Sequence, residues 1–242
     1  MSVKEDVQDS SADDAQLPAV ADPALTEDAA LALLKRTDLP PEILEQLSKN
    51  GSLAKSRKVR LALVTYAKTP RHVSLPMVRH LYTFDLMKVA LTPAVPADVK
   101  IAADEVLVGR METISLGEKL SLAHRGSGRV AGALLVDADA RVMQAALENP
   151  RLTEASIVKA IVRAGTTQAL VDMLCWHSKW SLRQEVRIAL LRNGRIPLAR
   201  AVEFARGLPP TQLREILQAS RLPARTKSAL LRDLGTKAGH AI

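Results

Sequence analysis

The chain has 242 residues, of which 47% are hydrophobic but only 2% are aromatic. Its core must therefore consist of aliphatic and small side chains, which favours close helix–helix contact and disfavours a sheet-rich fold. The single cysteine, Cys175, excludes an internal disulfide and a cysteine cluster, as expected in a reducing cytoplasm. No apolar stretch is long enough to span a membrane and the first residues lack a signal-peptide pattern, so we expect a cytoplasmic protein.

Charge is divided unevenly along the chain. The net charge is +8, but residues 1–30 carry eight acids against one lysine, a net of −7. Residues 179–242 carry thirteen Lys and Arg against four Asp and Glu, a net of +9. Blocks of one sign commonly mark interaction segments, so this division predicts a basic body that meets anionic groups.

Residues 1–24 are acidic and rich in Ser, Asp and Ala, which predicts a disordered acidic tail. Helical periodicity begins at Thr26 and continues to the end of the chain, so residues 25–242 are predicted to be one all-α repeat domain of about fourteen short helices. Residues 115–118 and 181–184 match the capping-box pattern that starts a helix. Residues 128–136 are ambiguous between helix and strand.

One pattern recurs along the chain. Residues 58–70, 141–153 and 185–197 align at shifts of 44 and 127 positions, and the second register runs without a gap from 58–107 onto 185–234. Self-similarity at such periods indicates stacked helical repeats. Equivalent positions should then face the core; these are Val59, Ala62, Val142, Ala145, Val186 and Ala189.

The repeated unit reads Val-Arg-x-Ala-Leu, a short turn, a Pro, and a second apolar stripe. It resembles the bacterial leucine-rich-repeat-variant and HEAT-like repeats over most of residues 28–235. The resemblance implies an α-solenoid of stacked short helix pairs, and such repeats serve mostly as scaffolds. One type of family member carries an iron–sulfur cluster, but this chain lacks the necessary cysteines and no cofactor is implied here.

A glycine-rich segment offers one candidate for phosphate chemistry. Residues 126–131 match GxGxxA, a form of the dinucleotide fingerprint, but that site needs a preceding strand, and a helical capping box stands there instead. We predict a plain inter-helix loop. The alternative is a phosphate site formed by His124, Arg125 and Arg129.

The segment around Cys175 offers a second candidate. Cys175 continues the apolar stripe of Leu170 and Leu174, which predicts a buried thiol, whereas a nucleophile paired with a distant histidine is the alternative. The histidines and the cysteine lack metal-ligand spacing, so we predict no metal and no catalytic site. Trp176 and Trp180 predict a packing cluster; a base-flipping site of a repeat-scaffold DNA enzyme is the alternative.

The C-terminal basic residues form the strongest candidate surface. Equivalent positions of stacked repeats line up, so these side chains are predicted to form one surface for an anionic partner. The candidate residues are Arg183, Arg187, Arg192, Arg195, Arg200, Arg221, Arg225 and Lys227.

Two functions fit these observations. The first is a non-enzymatic cytoplasmic scaffold that binds a protein partner. The second is sequence-nonspecific binding of a nucleic-acid backbone by the C-terminal repeats. In either case, the acidic tail is expected to lie transiently over the basic surface and to compete with the partner.

Overall fold

The computed structural model describes residues 25–238, with side chains through Arg232, and every regular element in this part of the chain is helical. The predicted disordered tail, residues 1–24, lies outside the described residues. Fifteen α-helices follow one another through short loops. They are α1 Glu27–Leu33, α2 Pro41–Lys49, α3 Arg57–Thr65, α4 Arg71–Val78, α5 Thr83–Leu91, α6 Ala97–Gly109, α7 Leu116–Arg125, α8 Gly128–Leu134, α9 Ala140–Leu147, α10 Glu154–Val162, α11 Gln168–Trp176, α12 Gln184–Arg192, α13 Leu198–Arg206, α14 Pro210–Gln218 and α15 Ala224–Ala238. Short 3₁₀ helices at Leu53–Lys55 and Trp180–Leu182 precede α3 and α12.

Side-chain caps start many of these helices, and one of the two predicted capping boxes is present. The Ser115 hydroxyl accepts a hydrogen bond from the Glu118 amide at 3.3 Å, and the Glu118 carboxylate accepts one from the Ser115 amide at 3.0 Å. The box predicted at 181–184 is wrong. Ser181 lies inside the 3₁₀ helix, and α12 starts after Arg183 without a side-chain cap.

The chain divides into two compact units, which meet in sequence between Val106 and Leu107. Within the first unit, α3 packs against α1 and α5. Within the second unit, α10 packs against α8 and α12, α12 against α14, α7 against α9, and α13 against α15. In each unit a helix therefore contacts the helix two places further along the chain.

The core consists of aliphatic side chains, as the composition predicts. Val59, Val142 and Val186 are fully buried, and Ala145 and Ala189 are nearly so. The sixth predicted position, Ala62, is half-buried. Residues 128–134, ambiguous in sequence, are helical, and they bury their apolar side chains on one face.

The register of 127 positions extends further than the sequence similarity that revealed it. Seven helices, α1 to α6 and the 3₁₀ helix at 53–55, begin 127 residues before α10 to α15 and the 3₁₀ helix at 180–182. The helices α1 and α10 both start with a threonine cap, Thr26 and Thr153. Arg60 donates to the Ala54 carbonyl, and Arg187 donates to the equivalent Ser181 carbonyl. The two segments therefore share local structure as well as sequence.

Two asparagines at the ends of α9 and α12 repeat the same hydrogen bonds. The side-chain amide of Asn149 donates to the Ala123 carbonyl at 2.7 Å, and that of Asn193 donates to the Ile161 carbonyl at 3.0 Å. Each Oδ1 then accepts from the backbone amide two residues later. These asparagines tie the end of one helix to the end of an earlier one, which satisfies carbonyls that helix ends leave unpaired.

Candidate basic interaction surface

The structure distributes the predicted basic residues over several environments. Arg192 and Arg221 line one pocket, and Lys227 lines another. Arg183, Arg195 and Arg225 are exposed but line neither of these pockets. The prediction thus includes residues that the fold brings together and residues that it does not.

Arg200 is not on the surface. It is 9% exposed, its guanidinium lies 4.6 Å from the Trp176 ring and 4.7 Å from the Phe204 ring, and it donates to the Cys175 carbonyl and to Glu203. Its Nε has no hydrogen-bond partner within the described part of the chain. Arg187 is half-buried, and its guanidinium lies 5.3 Å from the centre of the Phe204 ring. Both arginines hold α13 in place, so we exclude them from the candidate surface.

The first pocket lies between α8 and α10 and has a volume of about 280 Å³. Arg129 of α8, Lys159 of α10 and Arg163, which follows α10 directly, line it together with Ser156, and none of its described lining residues is acidic. Val108, which is 37% exposed, supplies an aliphatic wall.

A second pocket, of about 220 Å³, lies where α10, α12 and α14 end. The C-terminal ends of these three helices carry partial negative charge, and they face this pocket. Arg192 and Arg221 line the same pocket and carry two full positive charges, which offset the helix ends. Val162, 59% exposed, provides the aliphatic surface there.

A third pocket, of about 260 Å³, lies between α14 and α15. Arg214 and Lys227 line it beside Leu217 and Leu231, and Leu231 is 43% exposed. The Lys227 ammonium donates to the Ser220 carbonyl at 2.9 Å, which orients this side chain toward the end of α14.

The three pockets follow one row of helices, because α8 contacts α10, α10 contacts α12, α12 contacts α14, and α14 contacts α15. We call their cationic lining residues the basic row. Its members are Arg129, Lys159, Arg163, Arg192, Arg214, Arg221 and Lys227. Each pocket combines at least two cations with an exposed aliphatic side chain, and none of the described residues lining them is acidic.

Small residues and loop contacts shape this row. A Cβ on Gly132 would lie 3.1 Å from Cβ of Ser156, so glycine at this position permits the close approach of α8 to α10. A Cβ on Gly194 would lie 2.6 Å from the Arg221 carbonyl oxygen. The Arg221 amide donates to the Arg192 carbonyl at 3.0 Å, so the backbone itself holds these two cations at one pocket.

Four members of the row are absent from the sequence-predicted set: Arg129, Lys159, Arg163 and Arg214. Three of them, Arg129, Lys159 and Arg163, precede the strongly basic segment 179–242 on which the sequence prediction was based. The spacing of Lys159 in α10 and Arg163 at its C-cap, four positions apart, was a usable signal, because that spacing places residues near one face of a helix.

The segment around Cys175 provides no reactive thiol. Cys175 is fully buried, and burial raises the pKa of its thiol to about 11, so it stays protonated at neutral pH. Burial also lowers the pKa of His177, whose Nδ1 accepts a hydrogen bond from the Lys179 amide. Trp180 is buried and its Nε1 donates to the Leu147 carbonyl at 2.9 Å, whereas Trp176 is 69% exposed over Arg200. The predicted packing cluster is therefore correct for Trp180 alone.

Metal-ligand groups and membrane-spanning helices are both absent from the described residues. Among residues 25–232 no three His, Cys, Asp or Glu side chains are grouped so that they could hold a metal ion. None of the helices described has both the length and the apolar character needed to cross a membrane.

Comparisons with known proteins do not add a function. No protein-family model matches the chain, and neither curated protein sequences nor solved structures give a significant match.

Proposed function

We propose that this protein is a non-enzymatic α-solenoid scaffold that binds a protein partner in the cytoplasm through the basic row. The observation that carries the proposal is the shared composition of the three pockets. Each of them places Lys or Arg next to an exposed Val or Leu. A partner segment with carboxylates and aliphatic side chains would satisfy both parts of every pocket.

The solenoid assignment rests on two kinds of repetition. Helices contact their second neighbours within each unit, as repeats that stack only on adjacent repeats do. Elements also recur at a shift of 127 positions. The resemblance of the Val-Arg-x-Ala-Leu unit to leucine-rich-repeat-variant and HEAT-like repeats supports the same architecture.

A nucleic-acid backbone is the second candidate, and it accounts for the cations alone. Phosphates contact Lys and Arg and need no aliphatic wall. Binding of single strands usually adds aromatic side chains on which bases stack. None of the described residues that line the three pockets is aromatic, so the pockets favour a protein partner.

The test is a pull-down from cell lysate that compares the wild-type protein with a variant in which three cations of the basic row are replaced by Glu. Lys159, Arg192 and Arg221 make no side-chain hydrogen bond or ion pair within residues 25–232, so their replacement by Glu breaks no such bond there. Because Glu also places negative charge near helix C-termini, the variant is used only if circular dichroism shows a wild-type helical content and melting transition. The matched control reverses three exposed arginines outside the pockets, Arg125, Arg183 and Arg225. Both triple variants change the net charge equally.

We expect the wild type and the control to retain the same protein after nuclease treatment, and the row variant to lose it. Binding should also weaken as salt rises, because exposed charge pairs are screened. Capture that disappears on nuclease treatment would favour the nucleic-acid candidate. Capture of the same protein by the row variant would show that the partner binds elsewhere.

A further inference from the structure

The pocket between α8 and α10, which we call the α8–α10 pocket, is formed by one face of each helix. Its residues on α10 and the C-cap of α10 stand three, four and seven positions after the first of them, and those on α8 stand three and four positions after theirs. Residues at these spacings share one helix face. They are Ser156, Lys159, Ala160 and Arg163 on the α10 side, and Arg129, Gly132 and Ala133 on the α8 side. Three of the seven are glycine or alanine, so the space between the two faces stays open to a ligand.

Two cations of this pocket are available to a ligand. Lys159 and Arg163 are exposed, and neither makes a side-chain hydrogen bond or ion pair within residues 25–232. Arg129 also lines the pocket but has a further interaction within the fold, so we count only Lys159 and Arg163 as available charge. The Ser156 hydroxyl adds a neutral donor. Its Oγ lies 2.9 Å from Oγ1 of Thr153, and when Thr153 donates in that pair the Ser156 proton is free to meet an anion.

Of the three pockets described above, the α8–α10 pocket is the most favourable for a doubly charged anion. The second pocket lies at the C-terminal ends of three helices, whose partial negative charge opposes an anion. In the third pocket the Lys227 ammonium is already bonded to the Ser220 carbonyl, and two leucines form much of the lining. The α8–α10 pocket instead lies along the sides of two helices and adds a hydroxyl donor to its cations.

Charge and size together indicate which anion fits. A phosphate monoester carries a charge of about −1.5 to −2 at neutral pH and three acceptor oxygens, which match two cations and a hydroxyl. A carboxylate has one charge and two oxygens, so it would leave one cation uncompensated. The volume of about 280 Å³ lies just below the range of roughly 300–1,000 Å³ that is usual for drug-sized ligands. None of the described lining residues is aromatic, so a nucleotide base has no ring on which to stack. A phosphorylated side chain fits both limits.

We infer that the α8–α10 pocket binds a phosphate monoester, which the protein partner supplies as a phosphorylated side chain. This inference rests on the proposed function, because it names the chemistry that the partner brings to one pocket of the basic row. The Arg163 guanidinium offers a fork of N–H groups that matches phosphate geometry, and Lys159 and Ser156 offer further donors. Val108, which is 37% exposed, provides an aliphatic wall for the carbon atoms beside the ester.

The first experiment is an NMR titration of the full-length, isotope-labelled protein with two blocked amino acids. One is N-acetyl-phosphoserine N-methylamide, and the other is the equivalent glutamate compound. We expect saturable shifts of the amide signals of Ser156, Lys159 and Arg163 with the phosphoserine probe. The glutamate probe should bind several-fold more weakly, because it forms fewer charge-assisted hydrogen bonds. Equal affinity for the two probes, or shifts confined to residues outside the pocket, would overturn the inference.

Matched variants separate the pocket from overall charge. Lys159→Ala with Arg163→Ala removes both available cations and should weaken phosphoserine binding at least about tenfold, because hydrogen bonds to charged groups are strong. Arg183→Ala with Arg225→Ala removes the same charge from exposed positions that line none of the three pockets, and it should change the affinity by about twofold or less. A wild-type-like amide spectrum of each variant establishes that its helices are intact. Equal weakening by the two pairs would show that the probe responds to net charge alone and would refute the site.

Phosphatase treatment of the lysate distinguishes failure of this inference from failure of the proposed function. After nuclease treatment, we expect the wild type to capture its partner from untreated lysate and to lose it from phosphatase-treated lysate. Capture that depends on the basic row but survives phosphatase would refute the inference and leave the proposed function standing. Probe binding at the pocket without any captured protein would refute the proposed function and identify a free small phosphate monoester as the ligand.

Discussion

At the scale of single residues, burial decides what an arginine does in this protein. Arg192 and Arg221 line an open pocket, whereas the buried Arg200 packs against two aromatic rings and donates to the Cys175 carbonyl. A guanidinium placed between rings keeps its charge stabilised by cation–π contact and cannot reach a partner. The same residue type thus lines an open pocket at two positions and packs against aromatic rings at the third.

The cap of α9 provides a pH-dependent prediction at this scale. The Asp139 carboxylate pairs with the Arg141 guanidinium at 2.7 Å and accepts the Arg141 amide at 2.8 Å. The Arg141 side chain, followed by its backbone amide, lowers the pKa of Asp139 from 3.8 to about 2. Because the folded pKa lies below the unfolded one, this carboxylate stabilises the fold fully above about pH 4 and loses that effect as the pH falls toward 2.

We therefore expect wild type to melt at a higher temperature than Asp139→Asn at neutral pH, with a difference that shrinks between about pH 4 and pH 2. Asparagine keeps an acceptor at the cap, so the comparison isolates the charge. Thermal unfolding followed by circular dichroism across this pH range is the measurement. A difference that stays constant down to pH 2 would contradict the assigned role of the carboxylate.

At the scale of helices, residues that are 127 positions apart in sequence occupy similarly packed sites. Leu63 of α3 and Leu190 of α12 are equivalent in this register, and both are fully buried. Each lies in the helix that follows a 3₁₀ segment and contacts the helix two places further on. Equivalent residues should therefore contribute similar packing energy to their own units.

We expect Leu63→Ala and Leu190→Ala each to lower the free energy of unfolding by about 2–5 kcal/mol, because each leaves a cavity in a close-packed site. Leu198→Ala is the matched control, since Leu198 is 50% exposed and its truncation should change stability by about 0.5 kcal/mol or less. Urea unfolding gives all three values. A large loss of unfolding free energy at only one of the two buried positions would show that the two equivalent sites are packed differently.

At the scale of the whole molecule, the two units each have a core of their own. Stability in stacked repeats is approximately a sum of terms within repeats and between neighbours. A local cavity should then promote opening near its own position before it promotes opening of the whole chain. Cys175 reports on the second unit, because it is fully buried and lies in α11.

We expect a thiol reagent to label Cys175 slowly in the native protein, because the thiol is buried and burial raises its pKa to about 11. Leu190→Ala should accelerate labelling strongly and Leu63→Ala much less, since only Leu190 shares a unit with Cys175. Labelling rates at constant pH and reagent concentration test this. Equal acceleration by both substitutions would indicate that the chain opens as one cooperative body.

Much of the architecture was readable from the sequence. The recurrence of Val, Ala and Leu at fixed shifts predicted the helices and most of the core, because a helix face is defined by spacing along the chain. The capping box at 115–118 was found from residue type alone, since its hydrogen bonds join residues three apart. The pattern at 181–184 failed because Trp180 is buried in the core, and the 3₁₀ helix around it contains the serine.

The basic surface was only partly predictable. Sequence by itself determined that the chain carries an excess of cations, but not which of them share a pocket. Arg129 and Lys159 lie thirty positions apart, and Arg192 and Arg221 lie twenty-nine apart, so only the packing of α8, α10, α12 and α14 brings each pair together. Burial of Arg200 likewise depends on Trp176 and the Cys175 carbonyl of α11, whereas Phe204 lies four residues further along α13 itself. Local hydrogen bonds and helical periodicity act over a few residues, whereas pockets and burial arise from contacts between distant segments, which the tertiary structure alone decides.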